Sequence, residues 1–537
     1  MKIFISFFIS LLFVLNTFSQ NYTVELLDEQ KTTSRGAVFI GMDQNGYVYA
    51  HSFRSFYVVF SLIQHAYIKV YDSKDGSIIA EKRIDLNSDL SKLGYSILSF
   101  MLNDNKPVFL CKKRGRTEDN DYYLVDLDER LNLIGEPYKV GYNAECKTFF
   151  KANAANIYFS EDPESKLTLS ITDKSCKTDG VVSLYGILRD KDNNIIHEFP
   201  VVLEMPRINQ LNATIYDENK YYLNILSLDR KKEEGKLFKT TERSNILASL
   251  DKNGEMKEID LDILGPGVFV GAFRIIKSQG KLLFSGQIMD ENTFKFTGVF
   301  TGIINPETDE ITDLNKQFFE SEFVERFWTD RQSKKSERRQ EKGKDQGDGF
   351  NGTYKLIDYF PTDDGGIVSF YQKYWVDVVT TTRRDANGMV YTQIDYYYNY
   401  SDMIPVKTNK NGAIEWVEMI PIRQVTVNYD PGTSFLATQK GEDVFIFYNS
   451  SNEQDKMLEE EQVATKRQKM RDRIQRNATI AKISTNGKLT FETVIDMRDE
   501  RGVSFNPGAM GVDKENHKII MINNTRKKRS RLVIVGY

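Results

Sequence analysis

Short apolar runs rich in β-branched and aromatic residues recur along the whole chain, each closed by a polar turn. Runs this short, bounded by Asn, Asp and Gly, predict β-strands. The turns fall into two families. One carries an Asp-Gly or Asn-Gly bend at 71–79, 249–256, 407–416 and 482–489, with looser copies at 125–135, 188–196 and 303–311. The other places Asn, Asp or Gly before a strand at 42–49, 102–109, 151–159, 216–223, 277–284, 361–370, 438–447 and 512–520. The two families alternate, so they divide the chain into units of four strands. The units repeat every 50–65 residues or so, lengthening to about 75–85 late in the chain.

A period of that length with four strands per unit predicts an all-β fold, a single β-propeller built of small antiparallel blades. In each unit the second family joins strands A and B and the first joins C and D. The eighth A–B turn is followed by two apolar runs, 518–524 and 531–537, which supply strands B and C and leave no D. The run 21–27 can fill that place, so the sequence predicts eight four-stranded blades with a closing blade split between distant parts of the chain. Such closure removes two open sheet edges. Seven blades, with the last hairpin outside the ring, is the alternative.

The turn at 407–416 resembles the D-x-x-G-x-x-x-W turn of secreted bacterial propellers in the PQQ-dehydrogenase-like superfamily. Asn409, Gly412 and Trp416 fit its spacing, with Asn in place of Asp. The resemblance implies the propeller architecture. It does not extend to residues that would hold a quinone, and no cofactor is expected. The S-x-D-x-G-x-x-W box of sialidases is not matched either.

In this topology A–B and C–D turns leave one face of the disc, and B–C loops and D–A links leave the other. The long insertions, 228–243, 315–352, 374–400 and 450–477, all fall on the second face. Long connections clustered on one face predict a functional surface. Segment 315–352 opens with Phe319, Phe323 and Phe327 at helical spacing and reaches Trp328; 331–349 is basic, then rich in Gly and Asp. Segment 450–477 is acidic, then basic, as a charged helix would be. These two insertions are therefore expected to be helical or charged. Segment 374–400 predicts a long hairpin about 386–388. It carries Trp375, Arg383, Arg384, Tyr391, Tyr396, Tyr398 and Tyr400. Rigid amphipathic rings suit a binding surface for protein or glycan, and these residues with Trp328 are the candidate site.

Residues 1–19 combine Lys2, an apolar run from Ile3 to Leu15 and small residues before Gln20, the pattern of a secretory leader. A mature domain over 20–537 with no transmembrane segment follows, exported to the periplasm or cell surface. Its composition suits a bacterial envelope protein. The formal net charge of −4 becomes −5 without Lys2, near balance for this length, so nucleic acid is not an expected partner. Three cysteines, Cys111, Cys146 and Cys176, are too few for a disulfide framework. The four histidines, His51, His65, His197 and His517, form no metal-ligand motif, and no nucleophile elbow or phosphate loop occurs. Asp190, Asp192 and Asn194 begin like a calcium loop, but Ile195 takes the place of its glycine and a plain turn is expected. Two functions fit. The first is a non-enzymatic binding or scaffold protein of the envelope, using the insertion face. The second is a polysaccharide-acting enzyme with acids at the channel mouth.

Overall fold

The computed structural model describes residues 22–28, 30–31, 38–43, 45–58, 61–85, 94–103, 106–113, 121–142, 157–162, 164–174, 181–205, 208, 210–231, 240–325, 349–350, 354–384, 389–428, 434–450, 477–495, 510–525 and 529–537. They form eight antiparallel sheets, an all-β arrangement consistent with a β-propeller. In chain order the sheets cover 38–85, 95–141, 157–203, 210–259, 268–318, 354–427, 435–495 and 510–536. Each is a meander of four strands. The sixth gains a further strand, Ile420–Val427, and the eighth gains Gln30–Lys31.

The eighth sheet takes its fourth long strand from Thr23–Leu26, which pairs with Val533–Gly536 in the register Thr23 to Gly536 and Leu26 to Val533. This is the pairing the missing D strand called for.

Period-two alternation sends successive side chains to opposite faces, and here both faces are apolar because each sheet is sandwiched between two others. In the first sheet Tyr49, Ile68 and Val70 meet Phe109 and Val125 of the second. Val48, Ala50 and Tyr71 meet Ile520, Ile522, Leu532 and Ile534 of the eighth. Similar clusters fill the seams between the third and fourth, fourth and fifth, fifth and sixth, sixth and seventh, and seventh and eighth sheets. Each buried aliphatic or aromatic side chain in such a seam is worth roughly 1.5–3 kcal/mol. Cys111 is buried in the first seam, where desolvation pushes its thiol up to about 12. Cys146 and Cys176 lie outside the described residues.

All seven turns of the first family share one construction. The backbone N–H of a residue in the left-handed region returns to the carbonyl of the residue that opens the turn: Gly76 to Asp72, Leu131 to Asp128, Asn193 to Asp190, Gly254 to Asp251, Asp309 to Asn305, Gly412 to Asn409 and Gly487 to Ser484. Where the head is Asp or Asn, its side chain also accepts a following N–H, as Asp251 does from Asn253 and Glu255, both at 2.8 Å. Asp190 spends its oxygens in this way on Asp192 and Asn194.

The left-handed residue presses on the preceding sheet. A Cβ on Gly254 would lie 2.3 Å from the Pro200 carbonyl oxygen, and one on Gly487 would lie 3.0 Å from Cβ of Trp416. Glycine is thus needed at these positions for its φ and for its size.

The helical insertions expected from the sequence are not a feature of the described residues. The segment at 315–352 begins as strand Glu310–Phe318, and its helix is the five-residue Ser321–Glu325. Phe319 and Phe323 pack on Phe350 and on the seam between the fifth and sixth sheets, so these two rings are packing devices, and Phe327 lies outside the described residues. Residues 331–349, apart from Gly349, and 451–476 fall outside the described residues. No described helix is long and apolar enough to cross a membrane.

Two outcomes follow from these contacts. Gly487→Ala should lower stability by about 2–4 kcal/mol, combining a left-handed Cβ with overpacking against Trp416. Gly441→Ala, also left-handed but with nothing within 4 Å of the new Cβ, should cost about 1 kcal/mol; chemical denaturation of both variants reads the difference. Removing residues 21–28 should expose the edge of Arg529–Gly536 and lower the thermal midpoint markedly. An unchanged midpoint would mean the strand is dispensable.

Candidate interaction surface

The two middle strands of the sixth sheet, Ile367–Arg384 and Val390–Thr408, run far beyond their neighbours. The first strand, Tyr354–Pro361, stops pairing at Lys373, and Ile420–Val427 stops at Tyr397. What projects is a two-stranded ribbon in continuous register from Trp375–Asn399 to Arg384–Val390. The sequence marks it plainly, with an Asn-Gly bend between β-branched runs.

Register assigns every side chain to one of two faces. One face carries the opposed pairs Val376 and Tyr398, Val378 and Tyr396, Thr380 and Ile394, Thr382 and Thr392, and Arg384 and Val390. It is apolar and open: Val378 is 56% exposed, Ile394 50% and Tyr396 43%. A monomeric surface seldom leaves such residues contiguous without a use for them.

The other face is polar and tied together. Trp375 Nε1 donates to Asp377 Oδ2 at 3.2 Å, and Asn399 Nδ2 donates to the same oxygen at 3.1 Å. Asp395 accepts from Gln393 Nε2 and from Asn428 Nδ2, both at 2.9 Å. The Asn428 and Gln393 bonds, aided by the charge of Arg383, hold the Asp395 carboxyl below its usual range. Asn428 also caps the ribbon's edge, accepting from Tyr396 N–H and donating its own N–H to the Tyr396 carbonyl.

The candidate residues therefore separate. Tyr396 and Tyr398 share the open face. Trp375 and Arg383 lie on the polar face, and Arg384 closes the open face near the bend. Tyr391 stands opposite Arg383 in the register. Tyr400 is corrected: at 1% exposure it belongs to the root, its ring 5.1 Å from that of Tyr374. Alternation put it on the Tyr396 side, and the side is right, but at that point the strand is flanked by Tyr374 on one side and by Gln424 of Ile420–Val427 on the other, and its ring is buried. Trp328 lies outside the described residues.

Sequence reading passed over two things. The aliphatic members of the open face, Val376, Val378 and Ile394, are marked in the sequence only by their period-two alternation with the rings. A second ribbon, Tyr47–Val58 paired with Ser61–Asp72 as far as Val58 and Ser61, has no Gly, Asn or Pro at its bend to announce it.

The inner strand of the sixth sheet holds Asp358, a carboxyl that bears on the enzymatic alternative. Asp358 sits beside a register irregularity after Leu356. Burial raises its carboxyl to about 6, with Lys514 and the Tyr359 N–H, which donates at 2.8 Å, acting in the opposite direction. Nearby, Arg274 donates to the Phe273 carbonyl at 3.0 Å and faces the Tyr359 ring at 5.9 Å. Among the described residues no group of three His, Cys, Asp or Glu is placed to hold a metal ion.

No family model and no curated protein sequence matches the chain. Solved structures similar to it include the following three. The WD40 domain of SCAP from fission yeast is 9% identical, with 96% of this chain and 94% of that one covered and a TM-score of 0.39. The polysaccharide lyase Uly1 is 10% identical over 95% and 99%, at 0.36. The periplasmic gluconolactonase PpgL of Pseudomonas aeruginosa is 10% identical over 74% and 99%, at 0.29. With no family model matching, the resemblance of Asn409, Gly412 and Trp416 to the PQQ-dehydrogenase-like turn goes no further than the turn.

Asp358 generates a pH prediction. A carboxyl whose folded pKa is raised above its unfolded value destabilises the fold once ionised. Stability from this group is full below about pH 4 and is lost as pH rises toward about 6. Asp358→Asn should remove that slope and leave the protein at pH 7 more stable than wild type by roughly 2 kcal/mol. Equal slopes in the two proteins, read by denaturant unfolding between those pH values, would contradict the assignment.

Proposed function

We propose that this protein is a non-enzymatic binding or scaffold component of the bacterial cell envelope. In this reading residues 1–19 are a leader, and 20–537 form one eight-bladed propeller whose last blade is closed by Thr23–Leu26. The face bearing the insertions holds an envelope protein or glycan. The observation that carries the reading is the open apolar face of the ribbon, with Val376, Val378, Ile394 and Tyr396 all well exposed. Hydrophobic and aromatic side chains on a rigid strand pair are the usual centre of an interface. The hydrogen-bonded polar face keeps that platform ordered at little entropic cost on binding.

The reading is tested by capture from envelope extract and by a glycan array. The triple variant Val378→Ser, Ile394→Ser, Tyr396→Ala should weaken capture about tenfold or more with an unchanged thermal midpoint. Trp375→Ala, on the opposite face, should have a small effect. Equal binding by all three proteins would reduce the ribbon to a structural element.

A second reading, a polysaccharide-acting propeller enzyme, draws on Asp358 alone. A carboxyl raised toward neutrality suits a general acid. Turnover of a polysaccharide that Asp358→Asn abolishes would replace the binding reading with this one.

A further inference from the structure

The ribbon has an edge as well as two faces. From Trp375 to Arg384 no further strand among the described residues lies along the outer side of Ile367–Arg384. That stretch contains Val376, Val378, Val379, Thr380, Thr381 and Thr382 and has no Pro or Gly. β-branched residues in an unblocked edge are the material of strand addition. An isolated two-stranded ribbon is marginal in water and gains from further strands.

The charges on this edge specify what would add to it. Asp377 and Arg383 lie on the same face of the same strand, three residues either side of Thr380. Asp377 is held in place by Trp375 and Asn399. If two copies of the strand pair antiparallel about a two-fold axis at Thr380, each Asp377 comes opposite the partner's Arg383. On the other face Val378 then meets the partner's Thr382, and Val376 meets the aliphatic stem of the partner's Arg384. Moving the axis to Val379 or Thr381 leaves both charges without an opposite. One strand therefore carries a self-complementary charge pattern in a single register, which is what an isologous interface requires.

We propose that the edge Trp375–Arg384 pairs with the same edge of a second copy of this chain, in the register centred on Thr380. The two ribbons become one four-stranded sheet. Backbone hydrogen bonds supply the affinity, and the two Asp–Arg pairs set the register, since exposed pairs contribute little energy of their own. The apolar faces of both ribbons then lie side by side, which doubles the platform. The inference does not depend on the platform capturing a partner: self-association and capture are separate measurements, and either can fail alone.

Sedimentation velocity of the mature chain through the low micromolar range tests it. Wild type should sediment as a monomer–dimer equilibrium. Asp377→Arg should set like charges opposite each other twice, as should Arg383→Asp, and each should weaken dimerisation about tenfold or more. An equimolar mixture of the two variants restores both attractive pairs and should dimerise as wild type does. That rescue also controls for folding, because a ribbon distorted by loss of Asp377 would not be repaired by a different partner. A monomeric wild type, single variants that dimerise like wild type, or a mixture no tighter than its components would each overturn the proposal.

Discussion

Every sheet in this protein depends on how the next one leans on it. The contact point is the left-handed residue of the turn joining the third and fourth strands, pressed against the outer strand of the sheet before. Where the residue is glycine the fit is steric: Gly76 meets Leu27, Gly254 meets Phe199 and Pro200, and Gly487 meets Trp416. Trp416, the aromatic residue that ends its own turn motif, thus serves as the seat for the next turn. The motif reads as local in the sequence, yet its last residue acts between sheets.

At Leu131 and Asp309, where glycine is absent, the same place is held by polar contacts. Leu131 offers its carbonyl to Lys82 of the first sheet at 2.9 Å. Asp309 receives Lys220 at 2.7 Å and the Tyr222 hydroxyl at 3.0 Å, both from the fourth sheet. Burial raises the Asp309 carboxyl, and the bonds from Lys220, Tyr222 and Ser249 outweigh it, so the net shift is downward. These two residues adopt positive φ despite carrying a Cβ, a strain of order 1 kcal/mol that the contact offsets. The looser copies at 125–135 and 303–311 are therefore the same device with a different anchor.

The fold was largely legible because its rules are local. Turn chemistry marks both families of bends, and the count of eight against seven pointed to Thr23–Leu26 before any pairing was seen. Apolar runs on both faces of each strand follow from sheets stacked in sequence. The site was only half legible. An Asn-Gly bend announces the ribbon from 374 to 400, but sequence alone cannot tell where the ribbon leaves the body of its sheet. Tyr396 and Tyr400 share a side, and four positions separate an exposed ring from a buried one. The phenylalanine stripe near 319 looked like a helix because i, i+4 spacing also arises when a strand end and a single helical turn meet one aromatic cluster. The bend between Val58 and Ser61 left no trace because Val59 and Phe60 carry none of the residue types that mark a turn in a sequence.

The pairing of Thr23–Leu26 with Val533–Gly536 joins segments roughly 500 residues apart. Loop-closure entropy grows only with the logarithm of that separation, so the equilibrium cost is modest. Time is affected more. A chain made from its first residue onward holds its earliest strand unpaired until its latest one appears, and topologies dominated by such distant contacts assemble slowly. During that interval the early strand is open to other chains, and the edge of Arg529–Gly536 is open in turn from its synthesis until the two pair. The same clasp that seals the finished molecule makes it vulnerable during synthesis, and a helper that shields the edge until Thr23–Leu26 arrives would raise yield without touching the native state.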